Sequence, residues 1–393
     1  MTIHFIGLIE KLKYQNNQIK KNDEPTTDVL NNNNTKSEQN KQLPYTKRFI
    51  WRNIIILSYL HAVALYSVFN ITDCKWQVSL FDTLIGFCAA LGITAGAHRL
   101  WTHKSYKAKL PLRIILLIFQ TLSFQQSIYD WARDHRVHHK FTDTPADPHN
   151  SRRGFFFSHV GWLLVNKHPE VTEKGKTIDM SDLLEDPVVV WQKKHFKWFL
   201  PIVGFLLPFW LSAMIFDEQW FHAWNAQCLR YVIGLNLTWL LNSGAHMWGA
   251  KPYDKNISPT DTLTMGIACF GEGWHNYHHV FPWDYKTSEL SRYGYNFTIA
   301  FIDFFAKIGW AYDLKTVSEE MIRKRMLRTG DGSNKYSNIK DLDLKLKEIV
   351  EDYNNNNNSN INGMRNECLW GWDDKDMTED ERSFVTIYNK EKP

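Results

Sequence analysis

Residues 77–103 read QVSLFDTLIGFCAALGITAGAHRLWTH, an apolar run that ends in two histidines. Its apolar part, 77–97, is close to the ~20 residues that a helix needs to cross a hydrocarbon core of ~30 Å. Three further stretches, at 52–70, 198–216 and 227–247, have the same character. The sequence therefore predicts an all-α integral membrane protein with four transmembrane helices.

The basic residues predict the orientation of these spans. Four of them flank the start of the first span: Lys41, Lys47, Arg48 and Arg52. The loop at 71–76 holds one Lys, and the loop at 217–226 holds neither Lys nor Arg. By the positive-inside rule, both loops face the lumen, and both termini with the regions 98–197 and 248–393 face the cytosol. A fifth apolar stretch, 110–124, is predicted to be interfacial or re-entrant, because a crossing there would separate the histidine clusters on either side of it.

Composition divides the rest of the chain. The 46 Lys and Arg against 42 Asp and Glu leave a net charge of +4, too balanced for a protein whose main partner is a nucleic acid. Five Cys without a CxxC pair predict neither a disulfide framework nor a thiolate zinc site. Residues 1–45 are predicted to be a disordered N-terminal tail. The membrane domain is placed at 46–331, followed by a low-complexity C-terminal extension at 332–393 with no catalytic part.

Three histidine clusters lie between the spans, HRLWTH at 98–103, HRVHH at 135–139 and HNYHH at 275–279, and they hold half of the 16 histidines. Positions i, i+3 and i+4 share a helix face, so we expect each of the last two clusters to present three imidazoles to one centre. His246 follows Asn242 by one turn at the end of the fourth span. The nine candidate ligands are His98, His103, His135, His138, His139, His246, His275, His278 and His279. For any single one, a satisfied core histidine is the alternative.

The number of candidate ligands indicates the kind of site. A zinc ion takes about four ligands and the HExxH motif is absent, so nine histidines predict two metals in a cytosolic helical cap. Imidazole suits iron as well as zinc, and an all-histidine iron site with an open position can activate O₂. The Glu-x-x-His pairs of soluble di-iron bundles are not present in these clusters. Asn242 is a candidate to hold a water in the open position.

The stretches HRLWTH (98–103), WARDHRVHHKFTDTPADPHNSRRGFFFSHVGWLL (131–164) and GEGWHNYHH (271–279) resemble the histidine boxes of the animal acyl-CoA Δ9 desaturases. The resemblance covers about residues 47–331, and WGWDDKDM at 370–377 is similar to insect members. It implies an endoplasmic reticulum enzyme with two iron ions that converts palmitoyl- or stearoyl-CoA to the cis-monounsaturated acyl-CoA. The reaction consumes O₂ and electrons from cytochrome b5 with its NADH-dependent reductase.

The resemblance also implies roles for individual residues. The nine histidines become the metal ligands, with Asn242 holding a ligand water. The bend of the acyl tunnel would be lined by Gln125, Trp131 and Thr238. The CoA headgroup would meet Asn53, Arg133, Asp134 and Lys167. The family commonly has Arg before that Lys, where this chain has Asn166, so one phosphate contact differs.

The predicted methyl end of the tunnel is formed by small residues. Gly86 and Ala90 lie one turn apart on the second span, on the face that closes the acyl tunnel in the resembling family. Their size predicts that chains of 18 carbons or more are accepted. The alternative is that they only let two helices approach closely.

Cytochrome b5 is expected as a separate protein, because the HPGG haem signature of fused desaturases is absent. A basic run, Arg323, Lys324, Arg325 and Arg328, is a candidate contact for it, or else a solvated helix face or a lipid contact. Membrane lipid is the other expected partner. A desaturase of other regiochemistry or of pheromone type, a fatty acyl hydroxylase and a metal-binding scaffold without catalysis remain open.

Overall fold

The structure, a computed structural model, describes residues 45–289, 293–334 and 368–391, and these are mostly helical. The α-helices are Trp51–Phe69, Trp76–Leu91, Leu110–Leu122, Ile128–Lys140, Trp162–Leu164, Pro169–Gly175, Ser181–Glu185, Pro187–Pro201, Leu207–Ile215, Trp220–Asn242, Leu263–Ala268, His275–Val280, Phe297–Lys307, Glu319–Thr329 and Glu379–Ser383. Wider π-helical turns are Gly92–Thr102, Phe157–Gly161 and Ile202–Leu206. Tighter 3₁₀ turns are Ile71–Asp73, Ser151–Arg153 and Gly244–His246. The predicted N-terminal tail, apart from Tyr45, lies outside the described residues.

Two small antiparallel sheets complete the described fold. Lys107–Ala108 pairs with Ala311–Tyr312, and Leu314–Val317 pairs with Val385–Tyr388. Both sheets join parts of the chain that are far apart in sequence, so they hold these distant segments together.

Three of the described helices are long and apolar enough to cross a membrane, namely Trp51–Phe69, Trp76–Thr102 and Pro187–Ile215. They correspond to three of the predicted spans. Large apolar side chains on them are more than half exposed, including Ile55, Leu65, Leu84 and Met214. Exposed apolar surface on this scale is typical of a surface that contacts lipid. The helices therefore indicate a membrane protein.

The third membrane helix begins eleven residues before its predicted start at 198. Asp186 caps it by accepting a 2.9 Å hydrogen bond from the Val188 backbone N–H, and Pro187 occupies the first turn. The helix continues through the π-helical turn Ile202–Leu206. The residues that follow Trp191 are mostly polar, so the apolar pattern alone predicts a later start for this helix.

The fourth predicted span, 227–247, is displaced in the structure. The helix there is Trp220–Asn242, and the chain turns at Ser243 before the separate turn Gly244–His246. His246 is therefore not on the helix that ends at Asn242, which corrects the sequence interpretation. This helix is less apolar than the three helices named above, because it contains Asn225, Gln227 and Arg230.

The apolar stretch 110–124 forms the helix Leu110–Leu122. At about 1.5 Å per residue it rises about 20 Å, which is shorter than a hydrocarbon core. One face buries Leu112 and Leu116, while Ile114 and Ile118 stay exposed. The interfacial or re-entrant position of this helix stays a prediction.

The two short loops between the long helices contact each other. The Lys75 backbone N–H donates a 2.7 Å hydrogen bond to Oε2 of Glu218, and Nζ of Lys75 donates to the Phe216 carbonyl at 3.0 Å. The loops after the first and third membrane helices therefore lie on the same side of the protein. His98 lies at the other end of the second helix, about 33 Å along its axis from Trp76.

The C-terminal segment departs from its predicted role. Residues 332–393 are predicted to form an extension, but the described part, 368–391, packs against the helix His275–Val280. Leu369 and Met377 join a buried apolar cluster that contains Tyr277 and Phe281. The Asn-rich residues at 354–358 dominated the composition of the extension and concealed the aromatic residues that follow.

Candidate metal centre

The nine predicted ligands come together in two groups of imidazoles. The first group contains His98, His103, His135, His139 and His278, and the second contains His138, His246, His275 and His279. Within each group one ligand nitrogen per residue lies within 4.8 Å of all the others. All nine are buried except His135, which is partly exposed. Residues from four separate parts of the chain are thus gathered into two adjacent donor sets.

Each triplet of histidines is divided between the two groups, which corrects the expectation of one centre per triplet. Helix Ile128–Lys140 gives His135 and His139 to the first group and His138 to the second. Helix His275–Val280 gives His275 and His279 to the second group and His278 to the first. At about 100° per residue, i+4 lies about 40° from i, whereas i+3 lies about 60° away in the opposite sense. Two facing helices can therefore each supply a pair to one site and a single ligand to the other.

His98 and His103 join one group because of a local change of helix type. The stretch Gly92–Thr102 is π-helical, and the His103 N–H donates to the His98 carbonyl five residues earlier at 3.1 Å. The wider turn places residues i and i+5 on one face. The two rings are 4.7 Å apart between centroids.

The imidazole nitrogens meet at distances suited to a shared metal. Nε2 of His278 lies 2.9 Å from Nε2 of His98 and 3.0 Å from Nε2 of His139. In the second group, Nε2 of His275 lies 3.1 Å from Nε2 of His246 and 3.2 Å from Nε2 of His279. Imidazole nitrogens about 2.0–2.1 Å from one ion would have such spacings.

Two further nitrogens of the first group support a metal site. Nε2 of His103 and Nε2 of His135 are buried and have no hydrogen-bond partner among the described residues. A buried polar atom without a partner is costly unless a ligand occupies it. The donor set therefore fits a metal ion in each group.

The outward nitrogens of four candidate ligands have fixed partners. Nδ1 of His138 lies 2.9 Å from the carboxylate of Asp147, and Nδ1 of His98 lies 3.1 Å from that of Glu272. Nδ1 of His246 lies 2.9 Å from Oγ of Ser258. Nδ1 of His103 contacts the carbonyl of Trp370. Such partners orient a metal-binding imidazole and select its tautomer.

The sequence analysis missed these partners. Asp147 and Glu272 were within the quoted motifs, TDTPADPHN and GEGW, and their acidic side chains beside histidine clusters were the available signal. Ser258 and Trp370 gave no such signal, because they are distant in sequence from the histidines they contact.

The electrostatic environment lowers the pKa of five candidate ligands. Burial, together with repulsion among the neighbouring histidines, lowers the pKa of His135, His139, His275 and His279 well below the usual 6.5. The pKa of His246 falls to about 3 for the same reasons. A metal binds the neutral imidazole, so protonation competes weakly with binding near neutral pH.

Glu272 is ionised despite its burial. Burial alone would raise the pKa of this carboxyl group, but Arg99 and His98 lower it below its ordinary value. Arg99 is fully buried and forms a 2.8 Å ion pair with Glu272. The motif HRLWTH therefore supplies a ligand and also the cation that holds the partner of that ligand.

Close backbone packing explains why position 273, in the third histidine motif, is a glycine. A Cβ there would lie 2.0 Å from the Gly266 backbone nitrogen, so no side chain fits. The close approach allows the Thr262 N–H to donate to the Gly273 carbonyl at 2.8 Å. This packing fixes the start of the helix that carries His275, His278 and His279.

A cavity of about 1040 Å³ lies between the long helices and reaches both histidine groups. Its lining includes His98 and His135 from the first group, and His275 from the second. Asn242, the predicted water holder, also lines it. The cavity therefore connects the apolar space between the helices with the candidate metal centre.

The predicted tunnel-bend residues line this cavity and contact each other. Nε1 of Trp131 donates a 3.1 Å hydrogen bond to Oε1 of Gln125. Nε2 of Gln125 in turn donates to Oγ1 of Thr238 at 3.1 Å. Gly86 and Ala90 line the same cavity. A Cβ at Gly86 would lie 3.5 Å from Cγ of Arg230, in ordinary contact.

The predicted headgroup residues form a charged cluster. Asn53, Arg133 and Asp134 line the cavity. The Asp134 carboxylate pairs with Nη2 of Arg133 at 2.9 Å and with Nζ of Lys167. Asp134 thus holds two cations close together, although Lys167 itself is not among the lining residues. Arg52, which the sequence analysis did not assign to the headgroup, also lines the cavity.

Asn166 has a structural role. Its side-chain oxygen accepts a 2.6 Å hydrogen bond from the Arg48 N–H, and its side-chain NH₂ donates to the Thr46 carbonyl at 3.2 Å. Its backbone carbonyl accepts from the Tyr45 hydroxyl at 2.9 Å. The residue fixes the segment that leads into the first membrane helix.

The basic run on helix Glu319–Thr329 is largely paired within the protein. Arg325 forms a 2.5 Å ion pair with Asp254, which is buried. Arg323 and Lys324 pair with Glu319 and Glu320 at 3.2 and 2.8 Å. These contacts favour a structural role for the run and reduce the positive charge that it presents to a partner.

Comparisons with known proteins agree with the site. A family model described as fatty acid desaturase matches residues 75–297. The chain is 56% identical over 308 residues to an acyl-CoA Delta-9 desaturase of Acheta domesticus, covering 78% of this chain and 86% of the relative. It is 49% identical over 361 residues to an acyl-CoA Delta-12 desaturase of Tribolium castaneum, covering 91% and 97%. It is 52% identical over 299 residues to the human stearoyl-CoA desaturase, covering 76% and 83%.

The matched family region includes His98 through His279 and hence all nine clustered histidines. Identity near one half, over most of each chain, extends this match well beyond the histidine motifs. The chain therefore belongs to the fatty acid desaturase family, among the acyl-CoA desaturases.

Proposed function

We propose that this protein converts saturated 16- and 18-carbon acyl-CoA to the cis-Δ9 monounsaturated acyl-CoA at a centre of two iron ions. The observation that carries the proposal is the pair of histidine groups at the wall of a cavity between membrane helices. The similarity to a Delta-9 desaturase and to human stearoyl-CoA desaturase supports the choice of substrate and position.

Two iron ions would be held by the two histidine groups, with Asn242 near the second group as the holder of a ligand water. When bound, they would supply the activation of O₂ needed to remove hydrogen from an unactivated methylene. The protein supplies imidazoles whose outward nitrogens are oriented by Asp147, Glu272 and Ser258. Histidine also withstands an oxidant better than Cys or Met, which oxidise readily.

The substrate would be held at its CoA headgroup and at the bend of its acyl chain. Arg133 and Lys167, fixed by Asp134, would bind phosphate groups of CoA, and Asn53 would add a polar contact. The hydrogen-bonded series Trp131, Gln125 and Thr238 would shape the bend at which the reacting carbons meet the metals. The length of tunnel between the headgroup contacts and the metals would then determine the double-bond position.

We further propose four transmembrane helices, the fourth being Trp220–Asn242, with both termini in the cytosol of an endoplasmic reticulum membrane. The contact between the loops at Lys75 and Glu218 supports this arrangement, because an even number of crossings returns the chain to its starting side. The histidine groups would then lie in a cytosolic cap. The desaturase domain would comprise 46–331 together with 368–391, after the N-terminal tail at 1–45.

Electrons would come from cytochrome b5 and its NADH-dependent reductase, as separate membrane proteins. The support is the family relationship. No docking surface is assigned to the basic run, since most of its charges are paired.

Expression in a desaturase-deficient yeast tests the proposed reaction. The expected result is growth without added unsaturated fatty acid, with double bonds at Δ9 located by mass spectrometry of derivatised lipids. A His275→Ala variant is the matched inactive control, and His195→Ala, which changes a histidine outside both groups, should retain activity.

The same lipid analysis distinguishes the other candidates. Relatives named for position 12 are almost as similar as those named for position 9, so a different regiochemistry is the second candidate. Products with double bonds only at other positions would replace the Δ9 assignment, and hydroxylated products would indicate a hydroxylase. No product at all from an expressed and folded chain would overturn the enzymatic proposal.

A further inference from the structure

The C-terminal segment returns to the candidate metal centre after residues that lie outside the described chain. Strand Val385–Tyr388 pairs with Leu314–Val317 in four antiparallel residue pairs. The Ser318 N–H adds a 3.0 Å hydrogen bond to the Phe384 carbonyl. These contacts anchor the segment and direct the preceding residues 369–376, here called the latch, across the ligand-bearing turn at His103.

The latch contacts His103 through both its side chain and its backbone. The Trp370 carbonyl accepts a hydrogen bond from Nδ1 of His103, although the two residues are 267 positions apart. The Trp372 N–H donates to the His103 carbonyl at 3.0 Å. Because a carbonyl can only accept, Nδ1 carries the proton and Nε2 keeps its lone pair. That Nε2 is the buried nitrogen without a partner among the described residues.

Gly371 allows this close approach. A Cβ at position 371 would lie 2.7 Å from the His103 carbonyl oxygen and 2.8 Å from its Cα. Both obstacles are backbone atoms, which cannot move aside as a flexible side chain can. Any larger residue would therefore separate the latch from the ligand.

The other side of the latch is held by the helix that carries three candidate ligands. Asp374 is fully buried and accepts hydrogen bonds from Nζ of Lys140 at 2.8 and 3.0 Å. It also accepts the Trp370 N–H at 2.9 Å. The guanidinium of Arg136, itself fully buried, lies 4.1 Å from the centre of the Trp370 ring. Lys140 and Arg136 flank His139 and His135 in the sequence.

The residue that orients His103 lies in a different part of the chain from those that orient the other candidate ligands. Asp147, Glu272 and Ser258, which orient His138, His98 and His246, all belong to the matched family region. Only His103, among the ligands with such a partner in the described chain, is oriented by a residue beyond position 297.

We propose that the latch positions His103 for metal binding, so that complete loading of the first site depends on the C-terminal segment. The proposal rests on the metal role proposed above for the two histidine groups. Trp370, Gly371 and Asp374 are positioning residues, because they act through His103 and line no substrate cavity. Loss of the latch should weaken the first site and spare the second, whose ligands it does not contact in the described structure.

Metal content of the purified full-length chain tests the proposal. Gly371→Ala and Asp374→Asn should weaken binding at the first site by about 10- to 100-fold, so that iron falls from two to about one ion per chain. Gly294→Ala is the matched control for the first variant, because a Cβ at Gly294 meets nothing within 4 Å. Asp380→Asn, on the exposed helix Glu379–Ser383, is the control for the second.

A second readout distinguishes positioning from a general effect on folding. Cobalt(II) replaces iron in each variant, and its visible absorption reports the number and geometry of occupied sites. The latch variants should lose the first-site spectrum and keep that of the second site, and His103→Ala should give the same result. The double variant with both Gly371→Ala and His103→Ala should lose no more than His103→Ala alone, because the two residues act on one ligand.

The outcomes separate the two proposals. If both latch variants still bind two ions, the proposed positioning role of the latch is wrong. An equal loss of metal from both sites would also contradict it, because it would indicate general destabilisation. Wild-type protein that binds no metal would overturn the proposed metal centre instead.

Discussion

At the residue scale, the chemistry of the site depends on how each histidine is held. Nε2 nitrogens converge, while the Nδ1 nitrogens of four ligands contact a carboxylate, a hydroxyl or a carbonyl group. The division of each histidine triplet between the two groups makes single substitutions informative. A substitution at one position of a triplet should affect a different metal from a substitution at its neighbour.

Replacing His278 by Ala should remove a ligand from the first group, and His138→Ala should remove one from the second. Both should abolish desaturation, because a methyl group cannot coordinate a metal. The measurement is product formation together with iron and cobalt(II) spectra of the purified variants. Normal product from either variant, or identical residual spectra from both, would contradict the crossed assignment.

Replacing Arg133 by Ala should raise the KM for acyl-CoA more than it lowers kcat. A phosphate contact remote from the reacting carbons contributes mainly uniform binding. A charge-assisted contact is worth about 1.5–3 kcal/mol, or roughly ten- to a hundredfold in affinity. Arg113→Ala is the control, since Arg113 pairs with Asp186 at 2.9 Å and does not line the cavity. An unchanged KM would remove Arg133 from the headgroup site, and high salt should shrink the difference.

At the element scale, helix Trp76–Thr102 carries both residues of the proposed chain-length selection and a candidate metal ligand. Its first part carries Gly86 and Ala90 on the cavity wall, and its π-helical end carries His98. The same rigid element therefore determines both the depth of the cavity and the position of a candidate ligand. A change of side-chain size on this helix should alter selectivity without moving the metal centre.

Ala90→Ile or Gly86→Tyr should shift the products from 18 carbons towards 16 or fewer. The added volume must enter the cavity or displace Arg230, because the interior is close-packed. The measurement is the ratio of 16- to 18-carbon monoenes formed from an equal mixture of substrates. Gly294→Ala is the control, since Gly294 does not line this cavity and a Cβ there meets nothing within 4 Å. An unchanged ratio in two active variants would show that chain length is determined elsewhere.

At the scale of the whole molecule, the candidate metal centre joins distant parts of the chain. Its ligands come from positions 98–103, 135–139, 246 and 275–279, and the latch adds a contact from position 370. Metal binding should therefore stabilise the entire cap, since ions that bind only the folded state shift the unfolding equilibrium.

Metal removal should make stability depend on pH. Burial and mutual repulsion lower the pKa of His139 and His279 in the folded protein below the usual 6.5. The unfolded chain then binds more protons at acidic pH, so stability present above about pH 6.5 is lost as the pH falls. We expect the Tm of the metal-free protein, followed by Trp fluorescence in detergent, to drop between about pH 7 and 5. Metal-loaded protein should drop less over the same range, and equal pH dependence of both forms would contradict this account.

The sequence by itself determined the helical class, the nine histidines and the existence of the long apolar helices. These features depend on local composition and spacing, which a chain carries before it folds. Apolar length alone nevertheless misplaced two boundaries, because the cap at Asp186 and the turn at Ser243 depend on polar groups. A polar group also determines where helix Ile128–Lys140 begins. The Ser127 hydroxyl caps this helix by accepting a hydrogen bond from the Asp130 N–H at 3.1 Å.

Only the tertiary structure decided which histidine joins which group and what orients it. Rotation of about 100° per residue leaves i, i+3 and i+4 near one face, but the packing of the facing helix selects between the two centres. The Trp370 carbonyl gives no sequence signal for its contact with His103, because every residue carries such an acceptor. Contacts across hundreds of residues form only when the whole cap assembles, so a reading of local pattern placed the C-terminal segment outside the domain that it helps to complete.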